Sequence, residues 1–396
     1  MASAPTTDGP IDSVAKRKGS PCQQDGDFQD DKRPRSSVDL PEGIFWYIHS
    51  LMPLQDAARA ACVSHSFLRS WRCYPYLLFS EEIVLLDKNT FSNDEITRNL
   101  TSKVNHILQN HSGVGVKKLG FLFFRCTSVD FSYFDSWLHK AVILGIEEVT
   151  LMLPTNSNAE YNFPCSVYLM RLHTLYVNGC EMLKVVESYA PNLTTFDFTG
   201  HAVQMLGLLQ MKNFDMLMQT QIVSTQTVLG KFLSLKHLHI SLNKPPNYDY
   251  VSLVYFLDAA PSLETFILLT PYIHLPQGHM GYAWTAGDSA QLRQMPEHRH
   301  DNLKKFEVSG FCYVKSLVEL ICHILETTSS LNHVKLDTSY RSGCHASGRC
   351  YPYGTEQMRE ACNAVLAIKT CIIGKVPPKV ELDLVQPCSR CRALVQ

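Results

Sequence analysis

One short pattern recurs eight times along this chain and constrains its fold more than anything else in the sequence. An apolar residue is followed by two mostly polar ones, a second apolar residue, any residue and a third apolar one. It reads VKKLGF (Val116–Phe121), IEEVTL (Ile146–Leu151), LHTLYV (Leu172–Val177), LTTFDF (Leu193–Phe198), LKHLHI (Leu235–Ile240), LETFIL (Leu263–Leu268), LKKFEV (Leu303–Val308) and LNHVKL (Leu331–Leu336). Apolar residues two apart share one face of a strand, so each instance predicts a short half-buried strand. A single such strand cannot bury its own apolar face. Copies stacked side by side can, which predicts a solenoid whose coils each contact only their neighbours.

The pattern starts fall 30, 26, 21, 42, 28, 40 and 28 residues apart, so each of the two long gaps should hold either a degenerate repeat or an inserted loop. Neither 199–230 nor 270–302 contains a clean strand pattern. Between strands, Ser252–Glu264 and Val314–Leu331 carry apolar residues at steps of three and four, the period of a helix packed along one side. LHTLYVNGC, closed by Cys180, and LKHLHISLN, ending at Asn243, fit the leucine-rich-repeat template. The expected fold class is therefore α/β: an irregular leucine-rich-repeat solenoid over 81–385, a curved parallel sheet with outer helices. Residues flanked by the leucines would face solvent and form a surface suited to gripping macromolecules.

Residues 1–37 differ in kind. They are rich in Ser, Pro, Gln, Asp and Lys/Arg and have no apolar period, so they cannot offset the entropy of folding and are expected to be a flexible arm. Two basic clusters, Lys16-Arg17-Lys18 and Lys32-Arg33 with Arg35, flank an acidic spacer. That is the layout of a bipartite nuclear-import signal, or simply of a solvated tail. The whole chain has 36 Lys+Arg against 37 Asp+Glu, so no global field draws it to nucleic acid or to an anionic membrane. No apolar run approaches the roughly 18–20 residues that span a bilayer. A nuclear or cytoplasmic location is expected, and with it 14 cysteines kept as free thiols.

From Asp39 a helical pattern begins. Pro41 suits a first helical turn, Ile44, Phe45, Ile48 and Leu51 follow at steps of three and four, and Pro53 ends the run. A second helix would turn Leu54, Ala57, Ala58, Ala61 and Cys62 inward. Ser64 would cap a third carrying Phe67, Leu68 and Trp71. Three helices in under about 40 residues rarely bury enough surface to stand alone, so a partner is expected to cover the remainder. Leu40-Pro41, Ile44, Ile48, Leu51, Pro53, Asp56-Ala57, Val63-Ser64, Phe67 and Trp71 resemble an F-box over about residues 38–80. Gly43 departs from that pattern and costs roughly 0.5–1 kcal/mol relative to Ala.

Together with the repeats, this head resembles the F-box/leucine-rich-repeat proteins of plants, particularly the grass group with irregular repeats. The resemblance implies a substrate receptor of SCF-type ubiquitin ligases. Leu40, Pro41, Ile44, Ile48, Leu51, Pro53, Val63, Phe67 and Trp71 would face or support a Skp-type adaptor, which brings a cullin, while the repeats hold an unidentified protein substrate. Asn162–Cys180 joins segments that such proteins separate by further repeats, which implies a shortened solenoid.

Chemistry of its own is not expected. The chain has no glycine-rich phosphate loop, no G-x-S-x-G elbow and no H-E-x-x-H helix. Cys388-Ser-Arg-Cys391 has the spacing of half a zinc site, with Cys344, His345 and Cys350 as conceivable completions. Without a second well-spaced pair these read as free thiols in a tail over 386–396, and His298-Arg299-His300 reads as an exposed loop. No metal or cofactor is expected, and no pocket for a small molecule is marked. The rival to the ligase receptor is a repeat scaffold that binds a partner without ligase activity.

Overall fold

The structure, a computed structural model, describes residues 40–81, 92–112, 116–123, 130–153, 161–163, 170–178, 183–186, 190–200, 232–242, 248–270, 292–293, 295, 299–339 and 355–392. The basic clusters at 16–18 and 32–35 lie outside these residues, as do His298, Cys344, His345 and Cys350. The chain divides into residues 1–40 and a second unit, 41–396, which holds all the elements below.

That unit opens with three short helices, α1 (Glu42–Ser50), α2 (Leu54–Ala60) and α3 (His65–Trp71). Strand β1 (Tyr76–Ser80) follows, then α4 (Asn93–Asn110), β2 (Lys118–Leu122), α5 (Phe131–Leu144) and β3 (Glu148–Met152). Next come β4 (Tyr161–Phe163), β5 (Thr174–Asn178), β6 (Leu183–Val186), β7 (Thr195–Gly200) and β8 (His237–Leu242). The last elements are α6 (Val254–Ala259), β9 (Thr265–Leu269), β10 (Lys305–Ser309), α7 (Lys315–Thr327), β11 (His333–Asp337), α8 (Thr355–Ala367), β12 (Glu381–Val385) and α9 (Ser389–Arg392).

Ten strands form one sheet in the order β1-β2-β3-β5-β7-β8-β9-β10-β11-β12, every neighbouring pair parallel. All eight instances of the pattern are strands of this sheet, and they align without a slip. The second apolar position runs Leu119, Val149, Leu175, Phe196, Leu238, Phe266, Phe306 and Val334 across the sheet. The third runs Phe121, Leu151, Val177, Phe198, Ile240, Leu268, Val308 and Leu336. Both rows are buried, as is the row of first positions from Val116 to Leu331. Burying one such side chain contributes about 1.5–3 kcal/mol relative to exposure, so three buried residues per coil are the main stabilisation of each repeat.

The backbone adds a fourth row. The amide that follows each first apolar residue donates to its counterpart in the preceding coil, as in Glu147 to Lys117 O, His173 to Glu147 O, Thr194 to His173 O and Lys304 to Glu264 O, at 2.8–2.9 Å. Helices close one face of the sheet. Phe121 stacks on Trp137 of α5 at 5.1 Å, and the Trp137 indole N–H donates to Asn105 Oδ1 of α4 at 2.7 Å. Gly145, with φ 71°, takes the left-handed conformation that turns the chain out of α5 toward β3.

At both long gaps the flanking strands are direct neighbours, β7 pairing with β8 and β9 with β10, while 201–231 and 271–291 lie outside the described residues. Across the Asn162–Cys180 region β3 pairs with β5 in unbroken register, and β4 and β6 form a separate two-stranded sheet. The sheet also extends past the eight patterns at both ends, through β1 and β12.

Three expectations are corrected. His300 is not on an exposed loop: it is 3% exposed and forms a parallel bridge with Thr328, because the backbone there returns beside the end of α7. Cys388 and Cys391 do not belong to a free tail, since β12 leads into α9, which packs on α8 and buries Cys391 to 3%. In α2 only Leu54 and Ala57, with Ala61 just beyond, turn fully inward. Ala58 is half-buried and Cys62 exposed.

Candidate functional site

The three N-terminal helices present a face that the rest of the described chain does not cover. Pro41 caps α1, with the Ile44 amide donating to its carbonyl at 2.8 Å, and Pro53 caps α2. Ser64 caps α3 through its hydroxyl, which accepts from the Phe67 amide at 3.3 Å. The side of α1 that packs inward carries Phe45 and His49, not the isoleucines. The Phe67 ring of α3 meets Phe45 edge-on at 5.0 Å and His49 at 5.2 Å. His49 is completely buried, and its Nδ1 lies 2.7 Å from Ser70 Oγ. Burial holds its pKa below the usual 6.5, which keeps the imidazole neutral.

The opposite side is bare. Ile44 and Trp46 are exposed, as are Tyr47 at 64%, Leu51 at 67% and, on the turn before α3, Val63 at 76%; Leu40, the last residue of the first unit, is itself exposed. Pro41 and Pro53 are exposed too, and Ile48 is half-buried. Phe67 and Trp71 are interior packing residues: Phe67 sits against α1, and Trp71 lies 5.5 Å from Tyr74 and packs on the main core. The solenoid covers part of the head, through Leu54, Ala57 and a Tyr74 hydroxyl that donates to Met52 O at 2.6 Å. A reading of periodicity alone missed Trp46 and Tyr47 as surface and His49 as core, because an aromatic-rich helix offers two apolar sides.

The second candidate surface is the open face of the sheet. Alternate residues of each strand leave the core, and their charges pair across neighbouring strands: Lys118 with Glu148 at 2.6 Å, and His239 Nδ1 with Asp197 Oδ2 at 2.7 Å. Along the adjoining turns Glu264 lies between Lys236 at 3.2 Å and Lys304 at 2.8 Å. Hydrogen bonds from those two ammonium groups hold the Glu264 carboxyl down to about 2. The face is graded: Leu78, Thr150 and Tyr176 occupy its middle row near β1, whereas Glu307, Lys335 and Asp383 occupy it toward β12.

A third feature anchors the far side of the solenoid. Arg293 donates to both Asp249 oxygens at 2.7 and 2.8 Å and from Nε to Glu319 Oε2 at 2.7 Å. The Glu319 side chain is fully buried in α7, so Arg293 neutralises a charge that water cannot reach. Among the described residues no group of three or more His, Cys, Asp or Glu side chains is placed to hold a metal. No helix among them is long and apolar enough to cross a membrane.

A comparison with the curated proteins finds no match. A family model described as At1g61320/AtMIF1, LRR domain matches residues 107–170, 167–226 and 216–389. Those segments overlap, cover more than half of the chain, and run from α4 through β12, leaving out the three helices of the head. The register of the strands and the family match describe the same stretch of chain, a repeat scaffold of the protein-binding kind: the chain belongs to the leucine-rich-repeat domain family of At1g61320/AtMIF1.

Proposed function

We propose that this chain is the substrate-recognition subunit of an SCF-type ubiquitin ligase, acting in the nucleus or the cytoplasm. The head docks a Skp-type adaptor and, through it, a cullin, while the repeat face holds a protein substrate. The chain supplies no catalytic group in this reading. It raises the effective concentration of the substrate's lysines near a charged carrier held by the other subunits.

The observation that carries the proposal is the bare apolar face formed by Pro41, Ile44, Tyr47, Leu51 and Val63 on a head whose other side is already packed. Contiguous exposed apolar surface of this kind marks an interaction site. Its lining includes four of the positions that the F-box resemblance assigns to the adaptor side, Pro41, Ile44, Leu51 and Val63.

The test is direct binding of the purified full chain to a recombinant Skp-type adaptor. Ile44→Asp and Leu51→Asp should abolish binding while leaving the unfolding midpoint unchanged, because both side chains already face water. Ile48→Asp is a poorer probe, being half-buried. No adaptor binding by the folded wild-type chain would remove the ligase reading and leave a scaffold that binds a partner without promoting its ubiquitination. The family match, which begins at residue 107, is equally compatible with that second reading.

A further inference from the structure

The sheet begins at β1, and among the described residues nothing pairs with the outer side of that strand. In parallel pairing, successive residues send their N–H and C=O groups alternately to the two sides. The Lys118 amide donates to Pro75 O at 3.0 Å, and Tyr76 stands opposite Lys118. Leu77 and Phe79 therefore direct their backbone groups to β2, and Tyr76, Leu78 and Ser80 direct theirs outward. An open row of donors and acceptors is a template for another strand, and proteins usually cover such edges.

Here the edge borders a groove of about 520 Å³, within the size range of functional clefts. Its walls include Met52 and Pro53 from the elbow between α1 and α2, Tyr74, and Tyr76 and Leu78 of β1. Leu78 is exposed and lies flat over Gly120, where a Cβ would collide with its Cδ2, so the absence of a side chain on β2 shapes the floor. Among the described lining residues Lys118 is, apart from tyrosines, the single ionisable one. Its ammonium has three N–H donors, and among the described residues Glu148 is its one carboxylate partner.

We propose that the outer edge of β1 and the α1–α2 elbow form a docking groove for an extended segment of a partner protein, which adds to the sheet as a further strand. The segment places an apolar side chain against Leu78 and a carboxylate at Lys118. The backbone row sets the strand, the apolar wall sets alternate side chains, and the lysine, the one cation among the described lining residues, selects an acidic neighbour. The proposal does not depend on adaptor docking: of the described groove residues, Pro53 alone is also assigned to the adaptor side.

The experiment pans random peptides about nine residues long, a strand with short flanks, against the full chain. The best binder is then measured by fluorescence anisotropy. Enriched peptides should alternate apolar residues beside Asp or Glu. Leu78→Asp should weaken binding at least about tenfold, and Lys118→Gln should erase the preference for the acidic peptide over its amide. N-methylation of alternate peptide residues should abolish binding while methylation of the intervening ones spares it, a signature that requires no change to the protein. Amide exchange at Leu78 and Ser80 should be fast in the free chain and slowed by the peptide. Slow exchange at those amides without peptide, binding indifferent to N-methyl position, or no enrichment by the folded chain would each overturn the proposal.

Discussion

Helices α1 and α7 are both rich in apolar residues, and the chain treats them oppositely. In α7 ten residues are buried, Glu319 among them, because the helix lies between the sheet and the turns around Tyr250–Leu253 and Ile368–Ile372. In α1 the one fully buried residue is His49, and among the described elements the helix packs chiefly on α3. An apolar helix is thus not destined for an interior by its own composition. What decides is how many neighbours the topology supplies, and the end of a solenoid supplies fewest.

Substitutions can break this contrast. The largest effect is expected in the ladder that α7 covers: Phe306→Ala, at a fully buried ring stacked 5.3 Å from Phe266, should cost about 3–5 kcal/mol. Tyr47→Ala on α1 should stay within about 0.5 kcal/mol. Similar urea midpoints for the two would show that α1 is covered after all.

Next is Arg293→Met, which strands the Glu319 carboxylate without a cation and should cost about 3 kcal/mol. Adding Glu319→Leu should recover most of that loss, since the pair is then replaced by apolar contact. A double variant no more stable than the single one would mean that Arg293 acts through Asp249 instead.

Acid should loosen the head before the ladder. His49 and His111 are both held below the usual 6.5 by burial, with His111 partly compensated by the Tyr74 carbonyl at 3.1 Å. The unfolded chain then takes up protons first, so stability is full above pH 6.5 and falls as pH drops toward the folded values. Amide exchange corrected for intrinsic rate should show residues 42–74 opening ahead of 305–337 on acidification.

Smaller still, Gly43→Ala should stabilise α1 by roughly 0.5–1 kcal/mol, since a methyl there meets open space. An NMR titration of Glu264 should give a pKa of about 2. Its ion pairs join a partly exposed carboxylate to two exposed lysines; they act above the ordinary 4.5 and are lost as pH falls toward 2, and Glu264→Gln should lower the unfolding midpoint only slightly.

Much of the solenoid was legible because a strand's two-residue period and a leucine ahead of it are local properties. The strands at the two ends were not. Tyr74-Pro-Tyr-Leu-Leu-Phe79 does obey the pattern, but Tyr76, Leu78 and the aromatic first position disguise the alternation as a continuous apolar run. At β12 Lys379 stands where the other coils have their first apolar residue, and only pairing with β11 reveals the strand. The head's boundaries were readable from Pro41, Pro53 and Ser64, which act through their own backbone or hydroxyl. Its inward side was not, since His49 gained its place from Ser70 and Phe67, 21 and 18 residues away.

The order of amino acids by itself determined where the patterned strands and the head helices begin and which residues of each repeat point the same way, because dihedral preference and side-chain period act over a few residues. Only the tertiary structure decided which apolar faces are covered, which strands are neighbours across the long gaps and which strand edge the described residues leave open. Burial and pairing belong to neighbours in space, and neighbours exist only once the coils have stacked.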